Sequence, residues 1–109
     1  MSEYLFSYGT LQKAEVQLKL FGRLLNGTKD CLEGYKASKV EIIDEGFLAK
    51  GEQSVQLAAI ASDGDTIEGM VFELTADELS LADTYEPVEY SRVQVTLASG
   101  KLAWVYLKI

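Results

Sequence analysis

The central part of the sequence limits the possible folds most, because residues 28–74 contain no helical pattern. Short extended segments punctuated by glycine run near positions 28–32, 35–43, 54–61 and 66–74. Runs of this kind, bounded by turn residues, are typical of β-strands. The turn signal Asp63–Asp65 separates the last two segments, so we expect Val55–Ala61 and Thr66–Leu74 to form a hairpin. The sequence therefore predicts a largely antiparallel sheet.

The N-terminal part predicts a strand followed by a helix. The aromatic-rich run Tyr4–Tyr8 ends at Gly9, which is typical of a strand and then a turn. From Val16 onward, apolar residues recur at i, i+4 and i+8, and this period indicates an amphipathic helix. We expect Asn26–Gly27 to end that helix.

A second helix is expected after the central part. Thr75 and Glu78 have the spacing of a capping box, in which each side chain bonds the backbone amide of the other residue. We expect this helix to end at Tyr85 or Glu86, because the ring of Pro87 disfavours helical conformation in the residue before it.

Two closing strands complete the prediction, Tyr90–Leu97 and Leu102–Ile109. This order of elements describes an α+β fold with an antiparallel sheet that can curl into a partial barrel, flanked by two helices. A chain of 109 residues has the size of one domain, so we expect a single domain over residues 1–109.

The charge of the chain bears on its partners. Seventeen acidic and ten basic side chains give a formal net charge of -7. Such a charge repels phosphate backbones and anionic membrane surfaces, so we expect neither nucleic acid nor a membrane as a partner. The longest apolar run, Leu57–Ala61, is also far shorter than the roughly 20 residues that span a bilayer.

The number of cysteine and histidine residues bears on the cellular compartment of the protein and on metal binding. Cys31 is the only cysteine, and a free thiol suits a reducing compartment. The N-terminus lacks the basic start and apolar stretch of a signal peptide, so we expect a cytoplasmic protein. Without histidine, zinc or copper would have to be bound mainly by carboxylates, so we expect no transition metal.

The first candidate site is the turn formed by Tyr8, Gly9, Thr10 and Leu11, where the first strand breaks before a helical segment. A glycine lets a ligand approach the main chain closely, and unpaired amides at such a turn can donate to a carboxylate. The alternative interpretation is that Gly9 only makes a tight strand-to-helix turn.

The second candidate is Glu86, at the expected end of the second helix. The partial negative charge of a helix C-terminus disfavours an ionised carboxylate, which suits a general base. That effect is small, so substantial tuning would require burial beside Tyr85 and Tyr90. The alternative is an ordinary solvated surface carboxylate.

Three further side chains lie downstream of Glu86. Arg92 either forms a structural ion pair with an acidic residue of Asp83–Glu89 or contacts a substrate. Trp104 and Tyr106 point to the same side of the last strand, where they either pack in the core or line a cavity. If Tyr106 is buried, its hydroxyl needs a partner, which a polar ligand would provide.

Together these motifs resemble the γ-glutamyl cyclotransferase-like family, especially its branch with γ-glutamylamine cyclotransferase. The matching motifs are Tyr-Gly-Thr-Leu at 8–11, Asp-x-x-Glu at 83–86 with Tyr-x-Arg at 90–92, and Trp-Val-Tyr at 104–106. In register, the resemblance covers nearly the whole chain. Pro87 is a departure, because relatives commonly have glycine at that position.

The resemblance implies a mixed fold with a small barrel-like sheet and a cofactor-independent enzyme. Its substrate would be a γ-glutamyl amine or a γ-glutamyl amino acid, and its products 5-oxoproline and a free amine. Glu86 would act first as general base and then as general acid. The other expected site residues contact substrate: Tyr8, Gly9, Thr10, Leu11, Tyr90, Arg92 and Tyr106. The alternative is a non-catalytic domain of the same fold that binds a small metabolite.

Overall fold

The computed structural model describes residues 2–51, 54–87 and 89–108. Within them the chain forms five strands, three α-helices and one 3₁₀ turn. In chain order these are β1 (Ser2–Ser7), the 3₁₀ turn (Thr10–Gln12), α1 (Ala14–Phe21), β2 (Asn26–Glu41), α2 (Glu45–Leu48), β3 (Val55–Thr75), α3 (Ala76–Tyr85), β4 (Tyr90–Thr96) and β5 (Leu102–Lys108). No helix among the described residues combines the length and apolarity that crossing a membrane requires.

The five strands form one mixed sheet in the order β2-β3-β1-β5-β4. Only the β1–β5 pair is parallel, with Leu5 opposite Trp104, and the other three pairs are antiparallel. The predicted α+β fold with a mixed, largely antiparallel sheet is therefore confirmed. The sheet is open, with β2 and β4 as its two edges.

The open sheet is nevertheless curled, because both ends of β4 reach the β2–β3 pair. After β4, the N–H of Ala98 donates to the carbonyl oxygen of Cys31 at 2.9 Å. At the start of β4, the Tyr90 hydroxyl donates to the carbonyl oxygen of Leu57 at 2.6 Å. This curl produces the expected partial barrel without a complete ring of paired strands among the described residues.

The predicted hairpin between Val55–Ala61 and Thr66–Leu74 is wrong, because both segments belong to the single long strand β3 and pair with β2 instead of with each other. Glu33 pairs with Thr66 and Tyr35 pairs with Ala61, so only one residue of β2 faces four of β3. The predicted turn Asp63–Asp65 lies in this bulge. The turn residues therefore produce a local irregularity within β3, but they do not reverse the direction of the chain.

The end of α1 also differs from the prediction. The helix stops at Gly22, whose φ of 73° is left-handed and whose N–H donates to the carbonyl oxygen of Leu18 at 3.0 Å. Asn26–Gly27 instead begins β2. Leu24, which continued the apolar period, is 55% exposed. A glycine in the left-handed region ended the helix before the apolar period did.

Helix α2 was not predicted at all. Asp44 caps it, because its Oδ1 accepts a hydrogen bond from the N–H of Gly46 at 3.0 Å. Its four residues are too few to show a helical period, and Phe47 buries its side chain against the core to 2% exposure.

Helix α3 agrees closely with the prediction. The N–H of Glu78 donates to Thr75 Oγ1 at 3.1 Å, and the N–H of Thr75 donates to Glu78 Oε1 at 2.9 Å. The helix ends at Tyr85, and Glu86 is extended with φ -69° and ψ 148°. The closing strands are also as expected, with β4 one residue shorter and Ile109 outside the described residues.

The core lies on both faces of the sheet, and β1 contributes to each. Leu5 and Phe6 are each 1% exposed and point to opposite faces, as successive residues of a strand do. Leu5 packs with residues of the helices, including Val16 and Leu79. Phe6 packs inside the curl of the sheet against residues such as Val105. The last residues of β1 are therefore held tightly at the centre of the molecule.

Replacing Gly69 with alanine is expected to destabilise this centre. A Cβ at Gly69 would lie 2.5 Å from the backbone oxygen of Ser7 and 2.8 Å from the ring of Phe6. Overpacking of this kind reduces the free energy of unfolding by about 1–3 kcal/mol. Urea denaturation of Gly69→Ala measures it, with the exposed neighbour Thr66→Ala as control. Equal urea midpoints for both variants and the wild type would contradict the prediction.

Candidate active site

A cavity opens where β1 ends while its two neighbours in the sheet, β3 and β5, continue. Thirteen residues line it: Phe6, Ser7, Tyr8, Gly9, Thr10, Leu11, Phe47, Gln56, Leu57, Glu86, Pro87, Tyr90 and Tyr106. The space between these residues, including its open mouth, is about 410 Å³, which is the size of a small-molecule site.

Tyr8 joins the strands on either side of this gap. Its hydroxyl donates to the carbonyl oxygen of Tyr106 in β5 at 2.8 Å. The same oxygen accepts a hydrogen bond from the N–H of Ala59 in β3 at 2.9 Å. The Tyr90 hydroxyl bonds the same strand two residues away, where it donates to the carbonyl oxygen of Leu57. Two tyrosine hydroxyls thus bond the first half of β3 along the edge that does not pair with β2.

The three tyrosines of the cavity resist ionisation. Burial raises the pKa of Tyr8 to about 12; the bond from Ala59 opposes this increase, and the charge of Glu86 adds to it. Burial is also the main reason why the pKa values of Tyr90 and Tyr106 lie above the ordinary tyrosine value, and Glu86 contributes to both. The Glu86 carboxylate therefore faces three phenols that remain protonated at neutral pH.

The turn after Tyr8 has open space beside Gly9. Gly9 has φ -133°, outside the left-handed region, and a Cβ there would meet no atom of the described residues within 4 Å. The 3₁₀ turn begins next, with the N–H of Gln12 donating to the carbonyl oxygen of Gly9 at 3.2 Å. The Tyr85 hydroxyl lies 3.3 Å from Thr10 Oγ1 and connects this turn to the end of α3.

Gln17 holds the turn from behind, and the sequence reasoning missed it. The side chain is 3% exposed. Its Nε2 donates to the carbonyl oxygen of Leu11 at 2.8 Å, and its Oε1 accepts from the N–H of Leu25 at 3.0 Å. A glutamine within the apolar pattern that begins at Val16 was the available signal, because a buried amide requires such partners.

Glu86 reaches the cavity because α3 stops one residue before it. The N–H of Glu86 still donates to the carbonyl oxygen of Ala82 at 3.1 Å, but its own backbone is extended. Pro87 is buried and forms part of the same wall. Glu86, Pro87, Tyr90 and Tyr106 also line a second, more open groove beside the cavity. The half-buried carboxylate therefore lies between two hollows.

Arg92 lies in that neighbouring groove and is absent from the cavity lining. Its guanidinium forms two hydrogen bonds with the Asp83 carboxylate, at 2.8 and 3.0 Å, and lies 4.4 Å from the centre of the Trp104 ring. Asp83 Oδ1 also accepts a bond from the Tyr106 hydroxyl at 2.7 Å. Burial disfavours ionisation of Asp83, but the bonds from Arg92 and Tyr106 outweigh it and hold the pKa of that carboxyl below its usual range.

The cavity thus brings together most of the residues singled out from the sequence. They are Tyr8, Gly9, Thr10, Leu11, Glu86, Tyr90 and Tyr106. Their roles toward a ligand stay predictions. The lining residues that the sequence reasoning missed include Phe47, Gln56 and Leu57, which come from α2 and the first half of β3. Within the described residues, no cluster of three or more acidic or cysteine side chains forms a metal-binding group.

Comparison with known proteins gives a match over almost the whole chain. The model of the family described as "Gamma-glutamyl cyclotransferase, AIG2-like" matches residues 5–108. Comparison with curated protein sequences finds no match.

Several solved structures share the fold. One from Arabidopsis thaliana is 21% identical with a TM-score of 0.77, over 99% of this chain and 62% of that one. A structure named "Gamma-glutamyl cyclotransferase" is 18% identical with a TM-score of 0.80, over 100% and 68% of the two chains. A protein from Homo sapiens is 20% identical with a TM-score of 0.75, over 99% and 67%. At such identities the likeness concerns the fold, and this chain spans about two thirds of these proteins.

The raised pKa of Tyr8 predicts a loss of stability in alkali. The unfolded chain releases this proton near pH 10, about the ordinary value, whereas the folded protein keeps it to about 12. The stabilisation is fully present below pH 10 and declines as the pH rises toward 12, because the unfolded state then binds fewer protons. Urea denaturation from pH 8 to 11 should show a shallower decline for Tyr8→Phe than for the wild type. Parallel declines would contradict the assignment to Tyr8.

Proposed function

Because this chain belongs to the gamma-glutamyl cyclotransferase, AIG2-like family, we propose that it is an enzyme that releases 5-oxoproline and a free amine from a γ-glutamyl amine or γ-glutamyl amino acid. The family match confirms the resemblance seen in the sequence. The activity and the substrate are proposed. The observation that carries it is the shared cavity, in which Glu86 faces the turn Tyr8–Leu11.

The reaction needs one group that accepts a proton and later returns it. The α-amine of the substrate loses a proton to the Glu86 carboxylate and attacks its own γ-carbonyl carbon, forming the C–N bond of a five-membered ring. The tetrahedral intermediate then collapses, the bond to the leaving amine breaks, and that amine takes the proton from Glu86. The nucleophile belongs to the substrate, so the protein supplies proton transfer, orientation and charge stabilisation.

The tyrosines act as walls in this proposal and do not transfer protons. Tyr8 donates to the carbonyl oxygen of Tyr106, Tyr90 to that of Leu57, and Tyr106 to Asp83. Their hydroxyl protons are committed to these acceptors, and the raised pKa values keep the protons in place. Glu86 is left as the lining group suited to move a proton at neutral pH.

Backbone amides are the donors best suited to the anionic parts of the substrate. The N–H groups of Thr10 and Leu11 begin the 3₁₀ turn, and the first amides of such a turn have no carbonyl within it to bond. The open space at Gly9 lets a ligand approach them closely. We assign them to the glutamyl carboxylate or the developing oxyanion.

The position of Glu86 between two hollows suggests where the leaving group lies. We place the glutamyl part in the cavity and the leaving amine in its mouth or in the adjoining groove, which shares Glu86, Pro87 and Tyr90 with the cavity. From there the carboxylate can return its proton to the departing nitrogen. The alternative function, a domain that binds a γ-glutamyl-like metabolite without turnover, uses the same cavity.

Glu86→Gln distinguishes catalysis from binding. Purified wild-type protein incubated with a panel of γ-glutamyl amines and dipeptides should release 5-oxoproline. Glu86→Gln should remain folded and lose that release by a factor on the order of 10² to 10⁴, the usual contribution of a general acid–base. Glu33→Gln makes the same charge change at an exposed position of β2 and should leave the rate unchanged. A wild type that binds these compounds without consuming them would favour the binding domain.

Gly9→Ala tests the close approach of substrate to the turn. The added methyl meets no protein atom within 4 Å, so the free energy of unfolding should change little. Because Gly9 lines the cavity, the methyl should obstruct the ligand and lower kcat/KM at least about tenfold, equivalent to about 1.4 kcal/mol. Steady-state kinetics and urea denaturation measure the two effects. Unchanged kcat/KM would mean that Gly9 serves only the turn.

A further inference from the structure

Two contacts tie α2 to the segment that carries Glu86. At one end of α2, Lys50 Nζ donates to the carbonyl oxygens of Thr84 and Tyr85, at 2.8 and 3.1 Å. At the other end, the N–H of Ile43 donates to Glu89 Oε2 at 2.8 Å. The chain is therefore held from outside on both sides of Glu86, at Thr84 and Tyr85 and again at Glu89.

The two carbonyl groups that Lys50 bonds are the last two of α3. The last carbonyls of a helix have no partner within it, and α3 does not continue beyond Tyr85. Glu86 is extended and Pro87 has no N–H. The ammonium of a lysine near a helix C-terminus can bond such carbonyls and also interacts favourably with the partial negative charge there.

One of these bonds acts on the peptide group that precedes Glu86. The carbonyl oxygen of Tyr85 and the N–H of Glu86 belong to the same planar unit. Lys50 bonds its oxygen at 3.1 Å, and the carbonyl oxygen of Ala82 accepts from its N–H at 3.1 Å. With both ends bonded, the plane cannot rotate freely, and this restricts the direction of the Cα–Cβ bond of Glu86.

We infer that Lys50 is a positioning residue that sets the orientation of Glu86 in the cavity through the Tyr85–Glu86 peptide group. The inference rests on the proposed function as far as catalysis is concerned. Lys50 is exposed and does not line the cavity, so its effect passes through the backbone of Glu86.

The fold does not depend on Lys50 alone. The buried ring of Phe47 packs edge-on against Tyr85, with 5.7 Å between ring centres, and the Glu89–Ile43 bond remains at the other end of α2. Loss of the ammonium should therefore leave α2 in place and remove only the bonds to the carbonyl oxygens of Thr84 and Tyr85. Lys50→Met removes the charge and keeps most of the stem beside the Tyr85 ring.

The chain offers a matched control. Lys19 lies with Lys50 on the wall of one hollow between α1 and the end of α3, so Lys19→Met makes the same charge change nearby. For Lys50→Met we expect kcat to fall about tenfold or more, since a misplacement of about 1 Å can reduce a rate on the order of a hundredfold. KM and the melting temperature should stay close to those of the wild type. Lys50→Arg, which can also donate to both carbonyls, should restore most of kcat.

Each outcome bears on the inference. Unchanged kcat in Lys50→Met, an equal fall in Lys19→Met, or a fall in kcat accompanied by unfolding and not restored by Lys50→Arg would overturn it. If the wild type shows no turnover, the proposed function is refuted, and the positioning role of Lys50 is then tested by NMR. In that case the ¹⁵N–¹H signal of Glu86 should shift in Lys50→Met but not in Lys19→Met, and an unshifted signal would refute the positioning role.

Discussion

The central strand of the sheet ends at Ser7 while the strands on both sides continue, and the rest of the site depends on how that gap is closed. An unpaired row of backbone groups would otherwise face the gap. The Tyr8 hydroxyl bonds β5 through Tyr106 and β3 through Ala59, so one side chain joins the two sides across the gap. The space left beside the phenol is the cavity. The cavity therefore exists because β1 ends before its neighbouring strands do.

The end of α3 brings Glu86 to this gap. Pro87 prevents the helix from continuing, and the extended backbone of Glu86 directs the chain across the mouth of the cavity. The carboxylate then lies among three phenols whose protons are committed to other acceptors. In the proposed function, this division gives the tyrosines a structural role and leaves proton transfer to Glu86. The same arrangement separates Arg92 from the cavity, because Asp83 and the Trp104 ring hold its guanidinium.

Predictions from the sequence succeeded where the signals were local. The bounds of α3 follow from Thr75, Glu78 and Pro87, which act within one or two turns of helix. Apart from the end of α1, which Gly22 decides locally, they failed where a distant segment decided the outcome. The turn at Asp63–Asp65 became a bulge because β2 pairs with β3 on both sides of it. Helix α2 was missed because burial of Phe47, and not a periodic pattern, stabilises so short a segment.

By itself, the sequence determined the order of most elements, the largely antiparallel character of the sheet, and the two motifs that the fold brings to one cavity. These features depend on residue type and near-neighbour spacing, which a sequence displays directly. Only the tertiary structure decided that β3 curls over the site, that Leu57 and Phe47 complete the cavity, and that Lys50 bonds the backbone beside Glu86. Those contacts join residues dozens of positions apart, and the pairing of strands and the packing of side chains, not local propensity, select them.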